Sequence, residues 1–272
     1  MAMRRFQGWS TRFLASAVAA GILALSAAGC KTLGLPEETG AIGATASPVS
    51  DNDSRHESEL WGARYKANPR DSEAAIRYAQ ALRATGQRSQ AVAVLEQASI
   101  REPSNKRLLG AYGRALADVG NYDQAFNVLG KAHTPDQPDW RILSAQGAVL
   151  DQMDRHEEAQ RYYTSALKIA PDEPSVLSNL GLSYALVKDL PKAEATLRRA
   201  TTQPTVDPRV RQNLALVVGL QGRFPEAENI ARADLPPDEA AANVAYLKQM
   251  LSQQQDWKKL ARPNTQLGIG GT

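Results

Sequence analysis

Few side chains in these 272 residues are of a type and spacing that could do covalent chemistry. Cys30 is the only cysteine, and it stands where an apolar run gives way to a polar one, in ALSAAGCKTLG (24–34). A single thiol excludes an intrachain disulfide, a C-x-x-C redox pair and a cysteine-rich zinc site. Core residue, nucleophile, redox sensor and attachment point remain open. The three histidines are His56, His133 and His156. HESEL (56–60) and HEEAQ (156–160) begin like the metalloprotease helix in which two histidines one turn apart hold zinc and the glutamate acts as base. Both lack the second histidine, and no G-x-S-x-G, P-loop or dinucleotide fingerprint occurs elsewhere. The expectation is a protein without catalytic site, metal, cofactor or small-molecule substrate. His156 is expected at an exposed turn, and the acids on solvated helix faces.

The elements that would position any binding residue are helices. With 43% apolar and 22% charged residues the chain is globular rather than disordered, and with much alanine and little Val/Ile alternation it reads as all-α. The formal net charge is +3, but residues 1–29 hold Arg4, Arg5 and Arg12 and no acid, so the whole excess belongs to the N-terminus. A basic surface for nucleic acid is not expected.

Five blocks of 34 residues align without a gap, at 72–105, 106–139, 140–173, 174–207 and 208–241. Position 20 is Ala91, Ala125, Ala159, Ala193 and Ala227; position 8 is Ala79, Gly113, Gly147, Gly181 and Ala215. Position 27 is Ala98, Ala132, Ala166 and Ala200, with Asp234 breaking the series, and Pro103 and Pro171 stand at position 32. Position 15 carries Gly86, Gly120 and Gly222, with Asp154 and Lys188 in the other two blocks. Each block therefore reads as helix A, a tight turn at position 15 where a left-handed residue ends the helix, and helix B. Small residues at 8, 20 and 27 allow close approach, and Leu95, Leu129, Tyr163 and Leu197 at position 24 fill the space between helices. One block cannot bury its apolar face alone, so the blocks must stack.

This period and pattern resemble the tetratricopeptide repeat, most clearly in LSAQGAVLDQMDRHEEAQRYYTSALKIAPDEP (143–174) and SNLGLSYALVKDLPKAEATLRRA (178–200). The resemblance implies a right-handed superhelix over 72–241. Residues 53–71 read as an N-terminal capping helix with Trp61 at position 24, and 242–262, introduced by PPDE, as a C-terminal capping helix. Residues 263–272 are expected to be disordered.

In such a superhelix positions 2, 5, 6, 9, 12 and 13 of helix A face the concave groove. They include Arg77, Arg83, Arg107, Arg114 and Arg141 with Glu73, Asp118 and Asp151 in the first three blocks, then Asn179, Leu182, Leu186, Asn213, Leu216 and Leu220. Arginine forks pair carboxylates, and asparagine amides bond both N–H and C=O of an extended backbone. Arg77, Arg83, Arg114, Arg141, Asn179 and Asn213 are the candidate peptide-binding residues. The carboxylate clamp of repeats that hold chaperone tails is not reproduced.

Ahead of the repeats, MAMRRFQGWSTRF is basic and LASAVAAGILALSAAG is apolar. As a helix the apolar run would span about 24 Å, less than the roughly 30 Å of a bilayer core, which suits a cleaved signal over 1–29 better than an uncleaved anchor. Ala27-Ala28-Gly29-Cys30 resembles the cleavage box of bacterial lipoproteins, with Ala27 where leucine is usual. That likeness implies acylation of the Cys30 sulfur; several acyl chains anchor a protein stably where one does not. Lys31, in place of the aspartate that retains lipoproteins in the inner membrane, implies the periplasmic face of the outer membrane, an inner-membrane anchor being the alternative. KTLGLPEETGAIGATASPVSDN (31–52) reads as a flexible tether reaching about 25 Å. Together with AAANVAYLKQMLSQQQDWKKLA (240–261), these features resemble the TadD-like lipoproteins of tight-adherence (Flp, type IVb) pilus systems. The resemblance implies a scaffold for pilus assembly, pilotin-like towards the outer-membrane secretin. A general periplasmic repeat adaptor for envelope or β-barrel assembly is the alternative, and a hydrolase with an unrecognised site the more distant one. Cys30→Ala is expected to leave the repeats folded, to release the protein from the membrane fraction and to abolish incorporation of labelled fatty acid.

Overall fold

A computed structural model describes residues 51–202 and 206–260, with only the helical path given for 51, 52 and 254–260. The expected signal, Cys30, the tether up to residue 50 and the 263–272 tail lie outside the described residues. Among those described there are twelve helices and, beyond one isolated bridge between Thr134 and Gln137, no pairing of strands. The chain is all-α. After α1 (Asp51–Ala67) the helices come in A–B pairs: α2 (Ser72–Ala84) with α3 (Arg88–Arg101), α4 (Lys106–Asp118) with α5 (Tyr122–Gly130), and α6 (Trp140–Gln152) with α7 (His156–Ile169). Then follow α8 (Pro174–Leu186) with α9 (Leu190–Ala200), α10 (Pro208–Leu220) with α11 (Phe224–Ala231), and finally α12 (Pro237–Leu260).

Each A helix starts and stops for a local reason. Position 34 supplies the N-cap: Asp71 accepts from the Ala74 N–H at 2.9 Å, Asn105 from Leu108 at 3.1 Å, and Asp139 from Arg141 at 2.8 Å. Glu173 and Asp207 do the same for Ser175 and Arg209 at 3.4 and 2.9 Å, with Pro174 and Pro208 at the first turn. At position 15 all five residues are left-handed, Gly86, Gly120 and Gly222 with φ of 77°, 81° and 83°, and Asp154 and Lys188 with 57° and 65°. The next N–H then reaches back across the turn, Gln87 to Leu82 at 2.7 Å, Asn121 to Leu116 at 3.0 Å, Arg155 to Leu150 and Asp189 to Tyr184 at 2.9 Å. This is the Schellman closure of a helix, repeated in register.

The core lies between the A and B layers. A Cβ on Gly113 would stand 2.5 Å from Leu129, one on Gly147 2.7 Å from the Tyr163 ring and one on Gly181 2.6 Å from Leu197, so position 8 has no room for a side chain beneath position 24. Leu129, Tyr163 and Leu197 are themselves buried. Each A helix also meets the A helix of the next pair, and successive B helices do not meet to the same extent, so the A layer is the inner side of a curved stack. α1 packs on α2 and α12 on α10 and α11. Trp61, expected to fill position 24, is instead half-buried beneath Arg64, and Gly62 is the buried residue, against Tyr78. In the full repeats position 24 rests on the A helix of its own block, and none is described ahead of α1.

On the B side a charge cluster joins the last two pairs. Glu194 accepts from Arg223 and Gln221 at 2.7 Å and from Arg198 at 2.7 and 2.9 Å. Partial burial raises its pKa, but these donors outweigh it and hold the carboxyl at about 2.

Two measurements follow from this packing. Gly147→Ala is expected to lower unfolding stability by about 1–3 kcal/mol, because the Tyr163 ring is pinned and cannot yield; chemical denaturation reads it. A depressed folded pKa stabilises above the ordinary value of 4.5, and that contribution is lost as pH falls towards about 2. With two arginine partners 40% and 47% exposed, the loss is about 1–2 kcal/mol. Glu194→Gln should therefore lose less stability than the parent between those pH values.

Candidate functional site

The inner layer brings the sequence-predicted groove residues onto one strip, but it engages them unequally. At the N-terminal end Glu73 lies between two arginines, 3.1 Å from Arg77 Nε and 2.8 Å from Arg107 Nη2. Arg83 reaches across to Asp118 on the next A helix in an ion pair. Arg141 lies with its guanidinium 4.3 Å over the Trp140 ring, and the Asp139 side chain accepts the Arg141 N–H at its own helix start at 2.8 Å.

Arg114 differs from all of these. It sits in a recess between α2 and α4 bordered by Ile76, Gln80, Arg83 and Ala111. Among the described residues no hydrogen bond or ion pair holds its guanidinium. Burial lowers its pKa to about 10; the Arg83 charge and, less, that of Arg141 act in the same direction, and the carboxylates of Asp139 and Asp118 oppose them. It stays protonated at neutral pH, as a half-buried cation lining that recess.

Further along, the amides behave otherwise than the sequence suggested. Asn179 is only 5% exposed and donates its Nδ2–H to Ser144 Oγ at 3.2 Å; Asn213 donates to Ser178 Oγ at 3.0 Å. Position 6 of one block thus bonds position 5 of the block before, which ties consecutive A helices together. Their N–H sides serve the scaffold, so they do not offer both amide groups to a peptide. Beside them Leu182, Leu186, Leu216 and Leu220 are half-buried. α12 continues this strip in the register of a sixth A helix: Leu247 covers Gly219, Tyr246 is 44% exposed at position 5, and Met250 is half-buried at position 9. Tyr246 and Met250 were not singled out in the sequence, although continuing the 34-residue count past 241 identifies them.

A polar knot separates the two halves. Asp151 accepts from the Tyr163 hydroxyl at 2.9 Å, from Ser183 Oγ at 2.8 Å and from His156 Nδ1 at 2.9 Å. Burial raises the Asp151 pKa, the three donors partly offsetting it, and pushes that of the fully enclosed Tyr163 hydroxyl well up. His156 is therefore not the exposed turn residue expected: its side chain is 17% exposed, because it folds back onto Asp151. Ser183 bonds the carboxylate rather than the imidazole, so the group lacks the nucleophile-to-base hydrogen bond of a catalytic triad. It fastens α6, α7 and α8 to one another. The described residues contain no group of three or more His, Cys, Asp or Glu able to hold a metal, and no helix among them is long and apolar enough to cross a membrane.

Capped helix pairs in a 34-residue register, curved with the A layer inside, define a tetratricopeptide-repeat superhelix. Residues 145–208 match the tetratricopeptide repeat family, and residues 51–132 match the family described as anaphase-promoting complex, cyclosome, subunit 3. Among solved structures it is similar to PilW, a widely conserved type IV pilus biogenesis factor, with 17% identity, a TM-score of 0.62 and coverage of 71% of this chain and 91% of that one. It is also similar to a tetratricopeptide-repeat protein of Thermus thermophilus (22% identity, 65% and 99% covered, TM-score 0.57). A third is from Parabacteroides merdae (11% identity, 71% and 78% covered, TM-score 0.62). At these identities the fold is what is shared. No curated protein matches the chain in sequence.

Proposed function

We infer that this protein is a non-enzymatic, lipid-anchored scaffold that holds a segment of a protein partner in its concave groove during assembly of a pilus secretion machine. The observation that carries this reading is the division of one continuous inner strip into a cationic half around Arg83, Arg114 and Arg141 and an apolar half from Leu182 to Leu220. A strip of that kind favours a protein segment over a small molecule, which needs an enclosed cavity. The likeness of the N-terminal and C-terminal stretches to tight-adherence lipoproteins supports the pilus assignment, and so does the common fold with a type IV pilus biogenesis factor. In this reading acylated Cys30 fixes the chain to the periplasmic face of the outer membrane, and the tether lets the superhelix meet a secretin from that side.

The test is site-specific photo-crosslinking in living cells. A crosslinker at Arg77, Arg83 or Asn213 should capture a pilus-assembly component, whereas one at exposed B-helix positions such as Thr164 or Arg161 should not. Deleting the protein should remove pili and secretin multimers while leaving β-barrel proteins intact. Capture from the B side alone, or loss of barrel proteins, would refute the reading.

A further inference from the structure

The groove reading says that a protein segment is bound; the charges and spacing of the inner strip say more about its chemistry. The other groove arginines described above are already engaged, by Glu73, Asp118 or the Trp140 ring. Arg114 lines a recess, half-buried, with no hydrogen bond or ion pair to it among the described residues; Asp139 and Asp118 act on it only through their charge, and burial still lowers its pKa to about 10. A half-buried guanidinium with no hydrogen-bonded acid has its fork open, and a carboxylate brought to it gains more than at a fully exposed arginine, because solvent screening is reduced and the fork geometry matches. At the other end four leucines on α8 and α10 lie half-buried in the same strip, extended by Tyr246 and Met250 of α12. Polar partners for a backbone are few there, since the Asn179 and Asn213 N–H sides already serve Ser144 and Ser178. That end favours side-chain burial.

The separation of the two ends follows from helix packing. Neighbouring helix axes lie about 8–10 Å apart. From α4 to α8 is two steps along the A layer and from α4 to α10 three, roughly 18 and 27 Å. An extended chain advances about 3.3 Å per residue, so these distances correspond to about six and eight residues. A helical segment would need roughly twelve to eighteen.

We propose that the groove recognises a two-part motif in one extended segment: a carboxylate side chain or terminus seated on Arg114, and apolar side chains about six to eight residues away on Leu182, Leu186, Leu216 and Leu220. The site is therefore a ruler as well as a receptor. A segment with the right residues at the wrong separation fills one end only. This rests on the groove reading, but it can fail independently of it.

The test uses the full chain and fluorescein-labelled synthetic peptides containing one Glu, a Gly/Ser spacer of variable length and a Leu-Leu-Leu run, made in both orders and followed by fluorescence anisotropy. Affinity in at least one order should be greatest at spacers of about five to seven residues and fall at two and at twelve. Replacing the peptide Glu by Gln should weaken binding about tenfold. In Arg114→Gln that difference should vanish, and in Arg114→Lys, which keeps the charge without the fork, it should shrink. Leu216→Ser with Leu220→Ser should weaken the Glu and Gln peptides alike. Should Arg114→Gln fail to fold, judged by circular dichroism, the Glu-to-Gln comparison and spacer series on the parent protein still decide. Binding that ignores spacer length, a Glu preference that survives Arg114→Gln, or no binding in either order would overturn the proposal. Crosslinking from groove positions in cells would in those cases still leave the groove reading standing.

Discussion

The structure depends on a contact that excludes a methyl group. Wherever position 8 is glycine, the backbone of helix A lies so near the side chain at position 24 of its own helix B that a Cβ would clash, at 2.5–2.7 Å in three successive blocks. That approach sets the angle and depth at which each pair closes, and each closed pair presents the face on which the next must stack. Left-handed residues at position 15 and acids or amides at position 34 hold the same register. A slip of one residue would put Tyr163 or Leu197 against a larger neighbour and turn the groove positions away from the inner face.

With register fixed in this way, the chemistry of the groove becomes a matter of which residue each block places at a few positions. Nothing in the packing requires Arg114 to be charged, and the equivalent positions in the next blocks are Ala148, Leu182 and Leu216. The same backbone thus carries a half-buried cation towards one end and leucines at the other. Because solenoid stability is nearly a sum of local terms, an unfavourable residue in one block weakens that block and its neighbours without undoing the whole.

The fold was legible because its signals repeat. Gly86, Gly120 and Gly222 marked the turns of Asp154 and Lys188 as well, since equal spacing implied equal geometry where residue type did not. The position-34 caps were equally regular but easier to miss, because Asp71, Asn105, Asp139, Glu173 and Asp207 share an acceptor function rather than an identity. The groove was legible as a set of positions, and much less so as a set of free groups. Whether Arg83 meets Asp118, or Asn179 meets Ser144, depends on the stacking distance between blocks, which the period leaves open. For His156 the register places the turn but not the burial, which depends on a partner, Asp151, on the preceding helix.

Asp151 illustrates how the two halves of the strip can coexist. A carboxylate buried in the middle of a superhelix destabilises unless its lone pairs are filled, and here donors come from Tyr163 and His156 on α7 and Ser183 on α8. Those donors exist because block three has tyrosine where blocks one, two and four have leucine at position 24, and because Ser183 stands on the A helix just beyond. Tyr163 fills the volume over Gly147 as leucine does elsewhere and adds a hydroxyl at the far end of the ring. One aromatic residue therefore satisfies the packing rule of its own block and anchors the anion on the inner face. The knot ties the third pair to the fourth by directional bonds at the point where the strip changes from arginine to leucine. A polar joint of that kind keeps the orientation of the two halves more tightly than apolar contact alone, which a groove that measures separation along its length requires.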